Sequence, residues 1–428
     1  MEYTYAIIGG GIAGLYCARE LAKKYPNAKI GLFEKYRILG GRVITFRGET
    51  SQGPVQWEAG AGRIHTSHTM VRKLLKEYGL HEMPISSEIK WVESYGSPIV
   101  ENSFETSLSS WLEEIKRLPQ DILRAHTLHE LLTKLRPEAR IYTIQFPYWG
   151  EVFTLRADLA IQSFSEEMGS HEHYVICPEG YDVMITKLAE DCKKRGVEIY
   201  NHYDCQEITP ISKEKTVIYF ATGPLKLKEK RTVETITAKH VICALHQEAL
   251  KKFRLFQSLP LIHLVKMDPL HRIYAVFPPS SNGKIWFEDI PKFVTSTPIR
   301  YFIPIHSKQG VVMISYTDGQ DTHPWNEIES GSRPLESTVL ANLITEECRK
   351  LFPDRQIPFP VFLKSHPWKY GCTYWLPGNY EPKEVSKKSL QPFKTEFPNI
   401  YICGESFSLR QAWMEGALEN TQDLLRIL

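Results

Sequence analysis

The sequence predicts an α/β protein: a discontinuous, Rossmann-like nucleotide-binding domain joined to an α+β domain that carries a helical insertion. Three observations predict it. A strand, a glycine turn and a helix open the chain, and a second strand follows at once. Between His65 and His173 the texture changes to amphipathic helix. Strand and helix patterns of the first type return after Asn399.

In chain order, Tyr3–Ile8 reads as a short buried strand and Gly9–Gly14 as a tight turn. Ile12–Lys24 places apolar side chains at 12, 15, 18 and 21, one face of a helix, and Pro26-Asn27 ends it before the strand Lys29–Phe33. This is a β-α-β unit of about thirty residues, the expected size. Helices follow over Met70–Tyr78, Ser107–Arg117, Ile122–Leu135 and Leu155–Met168, closed by Gly79, Pro119 and Gly169 where such residues stand. Val183–Lys194 is again helical, and Val197–Tyr200, Thr216–Ala221 and Thr232–Leu245 alternate as strands around a polar hairpin tip at Gly223–Lys230. Leu270–Phe277, Arg300–Ile305 and Val311–Tyr316 look like strands of a second sheet, and Leu340–Leu351 is a helix before Pro353. Asn399–Cys403 and Met414–Ile427 close the chain as strand and helix.

Composition narrows the function classes. The 428 residues are 42% hydrophobic and 24% charged, enough for two domains with a sizeable core. Lys plus Arg number 52 against 50 for Asp plus Glu and no sizeable basic block stands out except around Leu225–Arg231, so a nucleic-acid partner, which needs a concentrated basic face, is not expected. No run approaches the ~20 apolar residues of a membrane span, so a soluble protein without a membrane partner is expected. The eight cysteines contain no C-x-x-C pair, no Asn-x-Ser/Thr acceptor occurs, and the N-terminal apolar run, Tyr5 to Ala18, reads as a strand and glycine turn rather than a signal peptide. A reduced, cytoplasmic setting is the expectation. The pairs His65/His68 and His171/His173 lack a zinc pattern, so no metal is expected.

Gly9-Gly-Gly11-Ile-Ala-Gly14 fits G-x-G-x-x-G between a strand and a helix, and Glu34 closes the next strand 20 residues after Gly14. Gly9 permits the tight turn, Gly11 lets backbone approach a pyrophosphate, Gly14 lets helix and strand pack, and the helix N-terminus offers unpaired N–H groups. Glu34, beside Lys35, is suited to accept from a ribose diol. Gly40-Gly41-Arg42 follows Glu34 by six positions, a spacing that favours FAD over NAD because it returns a guanidinium to the pyrophosphate.

Glu34-x5-Gly40-Gly41-Arg42, Tyr401-Ile-Cys-Gly404-Glu405 and Trp413-Met414-Glu415-Gly416-Ala417 together resemble the flavin-dependent amine oxidase superfamily, with its monoamine, polyamine and L-amino-acid oxidases. The resemblance implies that Glu405 meets the ribityl or pyrophosphate region and that the backbone at Met414 lies near the pyrimidine edge of the flavin. Cys205 stands either where the family's backbone meets adenine or as a plain strand residue. The segment Trp57–Ile64, with Ala61, Gly62 and Arg63, resembles the one that passes the flavin ring. In L-amino-acid oxidases an Arg matching Arg63 binds the substrate carboxylate; the alternative is that it pairs with the flavin phosphates or a structural acid. Trp368–Gly378 resembles the loop that brings an aromatic to the flavin face, so that Trp413 with Tyr374 or Tyr370 would wall a slot; the alternative is a packed domain interface. Cys372 falls where monoamine oxidases attach their flavin, and noncovalent FAD with a small buried thiol is the preferred reading. Where the family carries a Lys bridged by water to flavin N5, this chain has Arg272, which cannot surrender a proton.

The residues expected at the cofactor are therefore Gly9, Gly11, Ala13, Gly14, Glu34, Lys35, Gly41, Arg42, Ala61, Gly62, Arg63, Cys205, Gly404, Glu405, Trp413, Met414 and Ala417. Those expected to act on substrate are Arg272, Trp413, Tyr374 and Arg63. Residues 1–64, 174–246 and 390–428 would form the FAD-binding domain, and 65–173 with 247–389 the substrate domain. The expected function is an FAD-dependent oxidase acting on the C–N bond of a small amine or L-amino acid, with molecular oxygen as acceptor and a homodimer left open. A desaturase or isomerase of the same fold, or an FAD-holding interaction protein without turnover, are the alternatives.

Overall fold

The computed structural model describes residues 1–428 except 87–89, 93–102, 138, 140–147, 168–173, 226–230 and 330–337. Two sheets carry the fold. In the first, β1 (Glu2–Ile8), β2 (Ile30–Glu34) and β3 (Glu198–Asn201) run parallel. Next to them β4 (Tyr203–Ser212), β5 (Lys215–Thr222) and β6 (Thr232–Cys243) form an antiparallel meander. The second half of β6 pairs β1 in parallel, with Ile8 opposite Cys243, and Ile400–Ile402 pairs β6 as well. Every residue of β2 is buried and both of its faces are covered: Ile30 and Leu32 pack with residues of the first helix on one, and on the other Phe33 packs against the rings of Tyr200, Tyr203 and Phe220 from β3, β4 and β5. On one of those faces, α1 (Ile12–Lys24) buries Leu15, Ala18 and Leu21 and ends on Lys23 and Lys24, which complement the helix dipole. Its neighbours there are the helix Tyr181–Lys194 and the C-terminal helix.

In the second sheet β7 (Val265–Val276) lies between β8 (Val311–Asp318) and β9 (Phe362–Trp375), antiparallel to both. The order continues beyond β8 through Tyr301–His306, Phe293–Thr295 and Lys90–Val92. Leu128, Leu131, Ala160 and Phe164 of the helical insertion share one apolar cluster with Phe33, Phe220 and Val241 of the first sheet. No helix among the described residues is long and apolar enough to cross a membrane.

Four local expectations need correction. Trp368–Trp375 is not a loop but the second half of β9; Gly371 sits at the register shift opposite Asp268 and Leu270, where a Cβ would meet Leu270 Cβ at 2.4 Å. Ile122–Leu135 is two helices, Gln120–Ala125 and Leu128–Leu135, because Thr127 and Glu130 form a capping box that starts the second. Leu155 is not a helix start: a π-helical turn over Gly150–Thr154 precedes it, and Ala157–Glu167 is the α-helix. The strand expected to stop at Tyr316 runs on to Asp318. The hairpin Thr45–Thr50 with Gly53–Glu58 carried no expectation. The hairpin tip Gly223–Lys230 lies largely outside the described residues, as do His171 and His173.

Candidate active site

A cavity of about 2230 Å³ runs between the two sheets. Every residue expected at the cofactor or substrate lines it, except Gly14. Gly14 lies beneath the turn, where a Cβ would stand 2.0 Å from Gly9 O, so it serves packing. Gly9 adopts φ +106°, open to glycine but strained for other residues. Gly11 differs: a Cβ there would find only Gly40 O, at 4.0 Å, and would project into the cradle.

The turn is held by Glu34, whose carboxylate accepts from Gly10 N (2.7 Å) and Tyr36 N (2.8 Å). Burial nonetheless raises its pKa above the usual carboxylate value. Lys35 and Arg231 both reach Asp204, at 3.3 and 2.9 Å, next to Cys205 on β4.

Arg42 is engaged by protein on two sides. Its Nη1 donates to Gly371 O (2.7 Å) and its Nη2 to Glu405 (2.8 Å). Glu405, buried, also accepts from Thr373 Oγ1 (2.9 Å), Thr373 N (3.3 Å) and Ala412 N (2.6 Å). The last bond holds Ala412 at φ +66°, a left-handed turn that aims Trp413 and the following helix at the cavity.

Two helix N-termini open on this space without a side-chain cap. One is α1, entered from Gly11; the other is the C-terminal helix, entered from Trp413. Uncapped amides with a positive dipole end, a guanidinium between them and a glycine cradle open to an incoming anion fit a dinucleotide pyrophosphate and an electron-rich ring edge.

Toward the second sheet, Arg272 on β7 donates to Gly60 O and to Glu58 O (3.2 Å), and its Cζ lies 5.1 Å from the Tyr316 ring centroid. Its buried Nε has no partner among the described residues. Gly62 leaves room for it, since a Cβ there would stand 2.9 Å from Nη1. Arg63 lies over the Tyr174 ring at 4.0 Å, with Trp413 at 5.8 Å. The ring partners of Trp413 are Tyr174 and the edge of His68 at 4.9 Å, and burial lowers His68 to about 3, so that ring stays neutral. Tyr374 lies elsewhere, against Gly150, where a Cβ would be 2.2 Å from its Cζ, and its hydroxyl is 3.4 Å from Glu151. Tyr370 instead meets His246. Cys372 is half-buried on the same wall, and burial, then the nearby Glu405, push its thiol up to about 12.

Sequence reasoning passed over three carboxyl groups. Glu58 is raised to about 7, chiefly by burial. Asp318, at the end of β8, is also raised to about 7, by burial and then by Asp321 and Asp268. Glu415 faces away from the cavity and caps α2 (Thr69–Glu77), accepting from Met70 N (2.8 Å) and Val71 N (2.9 Å). Asp318 lay two residues past the expected end of its strand at Tyr316, and nothing local hinted at Glu415. No group of three or more metal-ligating side chains exists among the described residues.

Residues 12–421 match the family model described as flavin containing amine oxidoreductase. Aplysianin-A of Aplysia kurodai is 22% identical over 98% of this chain and 89% of its own length. Prenylcysteine oxidase 1 of Rattus norvegicus is 32% identical over 45% of this chain and 34% of its own. Among solved structures, a putrescine oxidase variant superposes with a TM-score of 0.74 at 13% identity, covering 100% of both chains. Cyclohexylamine oxidase from Brevibacterium oxydans IH-35A gives 0.72 at 15%, covering 100% of this chain and 99% of that one. At such identities the superpositions establish the shared fold.

Proposed function

The chain belongs to the flavin-containing amine oxidoreductase family, and from that premise we propose that it oxidises the C–N bond of a small amine with noncovalently held FAD, oxygen being the acceptor. The observation that carries this reading is the convergence of two uncapped helix N-termini, Arg42 and the Gly11 cradle on one cavity. FAD, when bound, supplies the hydride acceptor and passes the electrons on to oxygen. The protein's part is position and electrostatics. The amides that open α1 and the glycines at 9 and 11 would hold the pyrophosphate, and the amides at Met414 would favour negative charge at the flavin's pyrimidine edge.

Arg272 would place a fixed positive charge with an unused Nε–H beside the reacting region. The high thiol pKa at Cys372 supports noncovalent binding, because the thiolate is the nucleophile. An amine is favoured over an amino acid: Arg63 is stacked on Tyr174, while the second sheet turns a carboxyl group, Asp318, toward the cavity. All eight cysteines are free thiols, which supports a reducing compartment such as the cytoplasm. The test is anaerobic mixing of the flavin-loaded protein with a panel of amines and amino acids. Bleaching of the flavin absorbance by at least one amine is expected, and a panel without any bleaching refutes the proposal.

A further inference from the structure

Resting on the reading that the cavity takes an amine, we infer that Asp318 is a general base that removes a proton from the substrate's ammonium group. The nitrogen's N–H bond breaks, an O–H bond forms on the Asp318 carboxylate, and an ion pair becomes a neutral acid beside a neutral amine, the form whose C–H bond can release hydride.

The geometry singles out this carboxyl. Three aspartates cluster at this end of the second sheet. Asp268 is matched by Lys266 at 2.7 Å and Asp321 by Arg300 at 2.9 Å, and neither lines the cavity. Asp318 does line it, and its hydrogen bonds come from backbone, Trp149 N at 3.2 Å and Gly150 N at 2.8 Å. These amides fix the carboxyl in place and leave it lone pairs for a proton. On β8, Asp318 stands two residues from Tyr316 and so on the same face. Register sets Tyr316 opposite Arg272 and Asp318 opposite Leu270 on β7. Cys372 and Tyr374 line the same region from β9. The base is thus carried by the wall that bears Arg272.

The charges around it also suit the task. Asp321 and Asp268 oppose its ionisation, and burial opposes it more strongly, which brings the group near 7. Tyr374 on β9 and Glu151 on the π-helical turn face it as well, and Tyr374 is held neutral by burial. An alkylammonium in water has a pKa of about 10, as in Lys, so the proton must be taken up inside the site, where burial also lowers the amine's own value. A base near the working pH is the efficient choice.

The test uses the flavin-loaded protein mixed anaerobically with benzylamine and with 1,4-diaminobutane across pH. In the wild type, flavin bleaching should accelerate through a step near pH 7. In Asp318→Asn that step should vanish and the rate fall by about 10²–10⁴-fold. A second measurement needs no turnover and no variant. With ¹³C at the aspartate carboxyls, to separate them from Glu58, infrared difference titration of the wild type should show a neutral aspartic acid ionising near pH 7. A step that persists in Asp318→Asn, or the absence of that infrared titration, overturns the base while leaving the amine reading intact. No bleaching by any amine overturns both.

Discussion

Replacing Glu415 by Ala is expected to release the first turn of α2 from the C-terminal helix. The carboxylate accepts from Met70 N at 2.8 Å and Val71 N at 2.9 Å, with Thr69 Oγ1 at 3.4 Å, and the residue is only 1% exposed. His68, which precedes α2, provides no side-chain cap, so Glu415→Ala leaves the buried Val71 amide and the part-buried Met70 amide without their acceptor. Hydrogen bonds to a charged group are worth about 1.5–3 kcal/mol each, so two at the lower value give about 3 kcal/mol, or roughly 10²-fold in the opening of that turn. Amide hydrogen exchange read at Met70 and Val71 measures this directly. Glu415→Gln should fall between, since its amide oxygen can serve one of the two N–H groups. Unchanged exchange at both amides in Glu415→Ala would refute the capping role. Because the edge of His68 rests on Trp413, the same variant should also change Trp413 fluorescence.

Glycine substitutions should separate folding from cofactor binding: Gly14→Ala forces a contact with Gly9 O and should destabilise the protein without cofactor, whereas Gly11→Ala should leave its stability within about 0.5 kcal/mol while weakening FAD binding at least about tenfold. Denaturant midpoints and FAD titration decide, and the reverse pattern would sink the assignment of roles. In the absence of cofactor, stability should fall with rising pH on account of Glu58 and Asp318. Both pKa values are raised on folding, from 4.5 and 3.8 to about 7, so the native state holds those protons more tightly; their contribution is present below the unfolded values and is lost as pH rises to about 7. Midpoints in urea measured across that window check the sign. Denaturing the loaded protein should release all of its yellow chromophore, and colour retained on the wild-type chain but lost in Cys372→Ala would show a bond at Cys372.

The nucleotide half of the site was legible because its signals are local. Gly9 and Gly14 answer to backbone strain and steric clearance that only glycine tolerates, Gly11 keeps the cradle open, and Glu34 follows within one β-α-β unit. The substrate half was not. Trp368–Trp375, rich in aromatics and interrupted by Gly371, reads as irregular until β7 is placed beside it. Arg42 finds Glu405 across 363 residues of sequence. Tyr374 and Trp413, expected as paired walls, have different partners, Gly150 for one and Tyr174 with His68 for the other.

By itself the sequence determined the fold class, the glycine turn and the order of most strands and helices, because hydrophobic period and residue-specific φ preferences act over a few residues. Tertiary structure alone decided which face of the second sheet meets the cavity, and thus that Asp318 and Arg272 share it. It also decided that Glu415, 345 residues from Met70, caps a helix rather than touching a ligand. The physical reason is common to both: a buried carboxyl group takes its role from whichever amides, cations and apolar walls surround it, and packing supplies these from distant parts of the chain.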